Sequence, residues 1–227
     1  MTGADGQERI DPQHATLDEL RMMLAPRIAA NAVFDGWGDR ALADAAGSLG
    51  VPADRARLCF PDGPTGMVDS WFESIDGELG LRLYDRPLAA MKIRERIRLI
   101  VETRLDIARP QREAVRRALA ILALPTNVTR SLKISWRSAD RMWRLAGDAS
   151  TDFSHYTRRA TLAAVYTATL MVWINDETPG DADTREFLDR RIDDVIRFER
   201  AKAQLKGDPQ NRFSVTRFLG RLRYPET

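Results

Sequence analysis

The chain has 227 residues, 44% of them apolar and 30% charged, which suffices for one generous domain or a small head on a larger body and excludes global disorder. Cys59 is alone, so no intramolecular disulfide can form, and with only His14 and His155 the vocabulary for a metal site is nearly empty; neither metal nor cofactor is expected. The formal charge of +2 conceals an asymmetry: residues 1–90 hold 8 Lys/Arg against 15 Asp/Glu, and residues 91–227 hold 27 against 18, so a basic partner surface belongs in the second part.

Residues 1–14, MTGADGQERIDPQH, have neither the apolar stretch of a signal peptide nor the Arg-rich character of an import presequence. They read as the disordered start of a cytoplasmic, bacterial protein. Beyond them apolar residues recur at helical spacing almost everywhere and no long strict alternation occurs, which predicts an all-α fold. A first helix is predicted over Leu17–Val33, with Thr16 as N-cap, Glu19 three residues on as the second half of a capping box, and Pro26 kinking or dividing it. A turn at Asp35–Asp39, a short helix over Arg40–Ser48, a Leu49-Gly50-Val51 turn and another short helix over Ala53–Leu58 follow, with a breaker at Pro61–Pro64. This succession, residues 15–63, has the shape of a helix-turn-helix head. The body, residues 64–206, is predicted to hold helices at 65–84, 88–108, 111–123, 127–146, 154–174 and 184–206. Its 160–174 stretch is too short and too rich in threonine to span a bilayer.

A DNA-reading head needs a basic surround, yet this one carries Asp35, Asp39, Asp44, Asp54 and Asp62 against Arg40, Arg55 and Arg57, so no DNA affinity is expected. The stretch from Met142 to Arg159 invites an enzyme reading built on Asp148, Ser150, Asp152 and His155. A turn that uses Gly147 to end one helix and Ser150, Thr151 or Asp152 to cap the next explains those residues better, and no second histidine or nucleophile elbow completes a catalytic set. The expectation is a protein that is not an enzyme. Capping leaves Met142, Trp143, Phe153, His155 and Tyr156 unexplained; half of these belong to the core by helical phase and the rest, exposed beside the turn, would form an aromatic patch, with Met142, Asp152, His155 and Tyr156 as the partner-binding candidates.

The tail, residues 207–227, places Val215, Phe218, Leu219 and Leu222 at i, i+3, i+4 and i+7, with Phe213 nearby and Arg217 and Arg221 among the cations around them. That pattern suits an amphipathic helix lying in a membrane interface, and equally a terminal helix packed on its own body.

The string Trp143-Arg144-Leu145-Ala146-Gly147-Asp148-Ala149-Ser150-Thr151-Asp152-Phe153-Ser154-His155-Tyr156-Thr157-Arg158-Arg159 resembles the signature of the coenzyme Q auxiliary lipid-binding family, the ninth Coq protein. Phe34-Asp35-Gly36-Trp37, Met91–Ile97, Leu124–Asn127, Tyr166–Leu170 and Phe187–Ile192 are similar to it as well, so the likeness spans about residues 16–200. Ser154-His155 departs from the family's usual Asn-Trp. The resemblance implies a TetR-like homodimer that does not regulate genes, an apolar pocket for an isoprenoid lipid or quinone precursor, a ubiquinone-biosynthesis hydroxylase as partner, and a C-terminal helix at the membrane surface, here the inner face of the bacterial membrane. Candidates to line the pocket are Ile97, Val101, Leu119, Leu122, Leu162, Val165, Thr169 and Trp173, residue types that an ordinary core needs too. A TetR-type regulator sensing a hydrophobic effector is the alternative, and a hydrolase centred on His155 a third reading.

Overall fold

The structure, a computed structural model, describes residues 11–149 and 153–206, and among these every regular element is helical. Helix α1, Leu17–Asp35, opens on the expected capping box: Glu19 N–H donates to Thr16 Oγ1 at 3.3 Å while Thr16 N–H donates to the Glu19 carboxylate at 2.8 Å. Pro26 does not divide it. Proline removes one backbone donor, but Pro26 lies on the exposed side, and the Arg27 guanidinium donates to the nearby Met23 carbonyl at 2.9 Å. Residues 11–14, expected within the disordered start, instead form a turn in which Gln13 N–H donates to Asp11 Oδ1.

Helices α2, Asp39–Ser48, and α3, Ala53–Leu58, complete the head. Arg55 on α3 is turned inward and donates to the carbonyls of Pro12, Gln13 and Ala15, so the most central cation of the short helix is spent on the N-terminal segment. Arg57 pairs with Asp54 at 2.7 Å.

The body follows as α4, Pro64–Arg82; α5, Ile93–Ala108; α6, Arg112–Leu122; α7, Val128–Leu145; α8, Phe153–Trp173; and α9, Ala182–Lys206. Head and body share one core, in which Trp37 packs against Trp71 at 5.3 Å and donates its indole N–H to the Ala114 carbonyl at 3.0 Å. The predicted helix over 88–108 is broken: Leu88–Ala90 is a single 3-10 turn, Lys92 is extended, and α5 starts only at Ile93. Arg96 satisfies the carbonyls the break leaves free: its guanidinium takes those of Ala89 and Met91 at 3.2 and 2.9 Å and also that of Ala146 at the end of α7. The connector between α4 and α5, the end of α7 and the turn into α8 are thereby tied together at the end of the body remote from the head.

The candidate functional site on helices α7 and α8

The helical phase of α7 decides what is buried on it. Ile134, Ser138 and Met142 follow at spacings of four and are all buried, Met142 completely, so Met142 belongs to the core and not to a partner patch. Trp136, on another phase, is half-buried and stacks on Tyr156 with ring centres 6.0 Å apart. Tyr156 is 59% exposed, and His155 meets its edge at 5.1 Å. Trp136, His155 and Tyr156 thus make a continuous aromatic surface, of which sequence reasoning found the last two. Asp152 lies outside the described residues, as do Phe213, Val215, Arg217, Phe218, Leu219, Arg221 and Leu222.

The turn beside this surface is held by charge. Gly147, at φ +84°, ends α7 in the left-handed region, with Gly147 N–H donating to the Arg144 carbonyl and Asp148 N–H to that of Trp143, both at 3.0 Å. A Cβ at Gly147 would come within 3.1 Å of the Arg96 guanidinium, a second reason for glycine. Asp148 then receives Arg158 at 2.6 Å and the buried Arg159 at 3.0 Å, Arg159 also reaches Asp140 at 2.5 Å, and the Trp143 indole donates to the Arg158 carbonyl at 2.9 Å. Burial works to raise the Asp140 pKa, but hydrogen bonds from Arg159 and Arg144 outweigh it and hold it below the usual carboxylate value. Trp143, Gly147, Asp148 and Arg159, which carry the family signature, therefore act together to fix how α8 leaves α7.

The pocket candidates are carried by α5, α6 and α8. Ile97, Val101, Leu122, Leu162, Thr169 and Trp173 are buried, while Leu119 and Val165 are half-buried against the same core. Thr169 returns its hydroxyl to the Val165 carbonyl at 2.8 Å. Trp173 donates to Asp181 at 3.0 Å and lies under Arg112, 4.5 Å from its ring centre, which anchors that end of α8 to α6 and α9. A shallow opening of about 580 Å³ between α1 and α4 is bordered by Asp18, Glu19, Arg21, Met22, Met23 and Glu73, and none of the eight pocket candidates lines it.

Sequence reasoning missed the polar centre of the body. Arg104, 1% exposed, donates to Asp76 at 2.8 Å, to Ser138 at 2.9 Å and to the Tyr166 hydroxyl oxygen, and Ser138 donates in turn to Asp76 at 3.0 Å. One residue each from α4, α5, α7 and α8 is joined in this way. Burial works against the Arg104 charge, but Asp76 and Tyr166 prevail and raise its pKa, whereas burial raises that of Tyr166. A signal was present: Ile97, Ile100, Val101, Arg104, Leu105 and Ala108 share one face of α5, so an arginine occupies a core phase.

Comparison with known proteins agrees with this architecture. The COQ9 family model matches residues 128–199, which span α7, α8 and most of α9. The chain is 34% identical to the rat ubiquinone biosynthesis protein COQ9, mitochondrial, over 90% of this chain and 67% of that protein, and 35% identical to the human protein of the same name over 75% and 56%. It therefore spans between about half and two thirds of these relatives' length. A crystal structure of a TetR transcriptional regulator from Nitrosomonas europaea superimposes with a TM-score of 0.60 at 22% identity, covering 77% of this chain and 96% of that one, a likeness of fold. Among the described residues no helix is long and apolar enough to cross a membrane. With a TetR-like all-helical fold and the Trp143–Arg159 signature built into its α7–α8 turn, the chain belongs to the COQ9 family of ubiquinone biosynthesis proteins.

Proposed function

We propose that the chain is a non-catalytic lipid-binding protein of ubiquinone biosynthesis, which takes an isoprenoid quinone precursor from the membrane surface and presents it to a late-acting hydroxylase. Membership of the COQ9 family carries this reading. The physical need is the tail: each buried CH2 is worth about 0.8 kcal/mol, so a long isoprenoid leaves the bilayer only for an apolar sleeve of comparable extent. Helices α5, α6 and α8 supply that sleeve through Ile97, Val101, Leu119, Leu122, Leu162, Val165, Thr169 and Trp173, which move apart as the tail enters. Trp136, His155 and Tyr156 form the hydroxylase's landing surface beside it, with the protein working as a homodimer. The engagement of Arg55 and Arg57 within the head speaks against the rival reading as a DNA-binding regulator, since phosphate contact needs free cations. Mass spectrometry of lipid carried through purification tests the proposal: isoprenoid quinones or their precursors should be enriched over bulk phospholipid. A protein that purifies without lipid and takes up no added quinone would contradict it.

A further inference from the structure

The polar centre of the body sits among the residues of the proposed sleeve, and carrying an apolar tail gives it no task. Arg104 follows Val101 by three residues on α5, and Tyr166 lies on α8 next to Val165, four residues after Leu162 and three before Thr169. These spacings put the two polar side chains within one helical turn of four sleeve candidates. Stability does not account for them, because a buried ion pair is often no better than apolar side chains of the same volume.

A hydrogen-bonding position in this cluster is left unfilled. Each Asp76 oxygen is taken, one by Arg104 and the other by Ser138, and Ser138 accepts from Arg104 as well as donating. Tyr166, 5% exposed, accepts from Arg104, yet its own hydroxyl hydrogen meets no acceptor among the described residues. A buried donor in that state carries the full cost of leaving water, and folded proteins seldom keep one without a use. Burial raises the Tyr166 pKa, so the phenol stays protonated and remains a donor at neutral pH.

The charges decide what would fill the position. Arg104 is already balanced by Asp76 at 2.8 Å, so the cluster is neutral as a whole and offers an anion, such as a lipid phosphate or a fatty carboxylate, no net attraction. A neutral oxygen on an aromatic or quinonoid ring supplies what is missing: a lone pair for the Tyr166 O–H and no charge to desolvate. We infer that Tyr166 selects the head group: its hydroxyl, held by Arg104, donates to a ring oxygen of the bound lipid, so the sleeve prefers isoprenoids that carry a quinone carbonyl or a phenolic oxygen. The tail then runs toward the α6 end of α8, where Arg116 binds the Ile174 carbonyl and Arg112 covers Trp173. This rests on the lipid-carrier reading and adds the chemistry that the sleeve recognises.

The test uses two probes with the same isoprenoid tail, one ending in a benzoquinone and the other in an unsubstituted benzene ring, and measures how each displaces a fluorescent isoprenoid from the purified full chain. Tyr166→Phe, which keeps the ring and removes only the hydroxyl, should weaken binding of the quinone by about ten-fold and leave the benzene probe unchanged, a comparison in which the probes' unequal solubilities cancel. Infrared difference spectra need no variant to be decisive. The carbonyl stretch of an isotope-labelled quinone should fall on binding to the natural chain, and Tyr166→Phe should return it to its value in hydrocarbon. A hydroxyl that only braced Arg104 would leave that stretch where it is. An unshifted carbonyl in the natural chain, or a Tyr166→Phe variant that weakens both probes alike or neither, would overturn the inference while the carrier reading stands. If neither probe binds the natural chain, the carrier reading fails and this inference with it.

Discussion

Asp76→Ala should lower folding stability by about 3–5 kcal/mol, out of proportion to the few atoms removed, because it leaves a buried guanidinium without its counter-charge. Arg104 is 1% exposed and Asp76 accepts from both Arg104 and Ser138, so the variant abandons one full charge and two hydrogen bonds that join α4 to α5 and α7. Denaturant titration should give a lower midpoint with a similar slope, the sign of lost stability without a change in the surface exposed on unfolding. Arg104→Met combined with Asp76→Leu separates the cost of the orphaned charge from that of the lost pair. An apolar pair of similar volume often costs little, so the double variant should regain much of the loss. If Asp76→Ala unfolds at the same denaturant concentration as the natural chain, Arg104 has another way to satisfy its charge and the quartet is not a keystone of the body.

If the proposed hydroxylase partner docks on the aromatic surface, Tyr156→Ala should weaken its binding by about 2 kcal/mol or more, roughly thirty-fold, while the fold is retained. An exposed aromatic stacked on a second aromatic offers a large rigid contact area, and its removal from the free protein forfeits little beyond the ring pairs with Trp136 and His155, about 0.5–1.5 kcal/mol each. Titration calorimetry with the purified partner, alongside thermal melting, separates the two effects. Met142→Ala should do the reverse: as a fully buried core residue it should lose about 2–5 kcal/mol of stability. If Tyr156→Ala binds the hydroxylase as tightly as the natural chain, the aromatic surface serves some other purpose.

The contrast between these two residues marks what could be read from the amino-acid sequence. Local chemistry was legible: the Thr16–Glu19 capping box, the helix ending at Gly147, and the short helices around Leu49–Val51 depend on neighbours a few residues away. Met142 joins the expected patch because capping leaves it unexplained, yet its spacing from Ile134 and Ser138 puts it on the buried phase of α7. The break at Met91–Lys92 was not legible, since the carbonyls it frees at Ala89 and Met91 are taken by a guanidinium that also reaches Ala146, fifty residues away. The Asp76–Arg104–Ser138–Tyr166 quartet was half legible. Arg104 on a core phase announces a buried charge, but the pattern along one helix does not say which acid, 28 residues earlier, will meet it. Trp136 joined the aromatic surface through the α7–α8 crossing, a tertiary fact.

On the proposed lipid-carrier reading, a quinone precursor lodges among the candidate side chains of α5, α6 and α8. Photo-crosslinking with an isoprenoid quinone carrying a diazirine near the end of its tail, followed by peptide mapping, addresses it most directly. Adducts should concentrate on the segments holding Ile97 and Val101, Leu119 and Leu122, and Leu162 to Trp173, and excess unlabelled quinone should compete them away. Labelling confined to the charged opening around Met22 and Met23 on the head, or spread evenly and insensitive to competitor, would contradict the account.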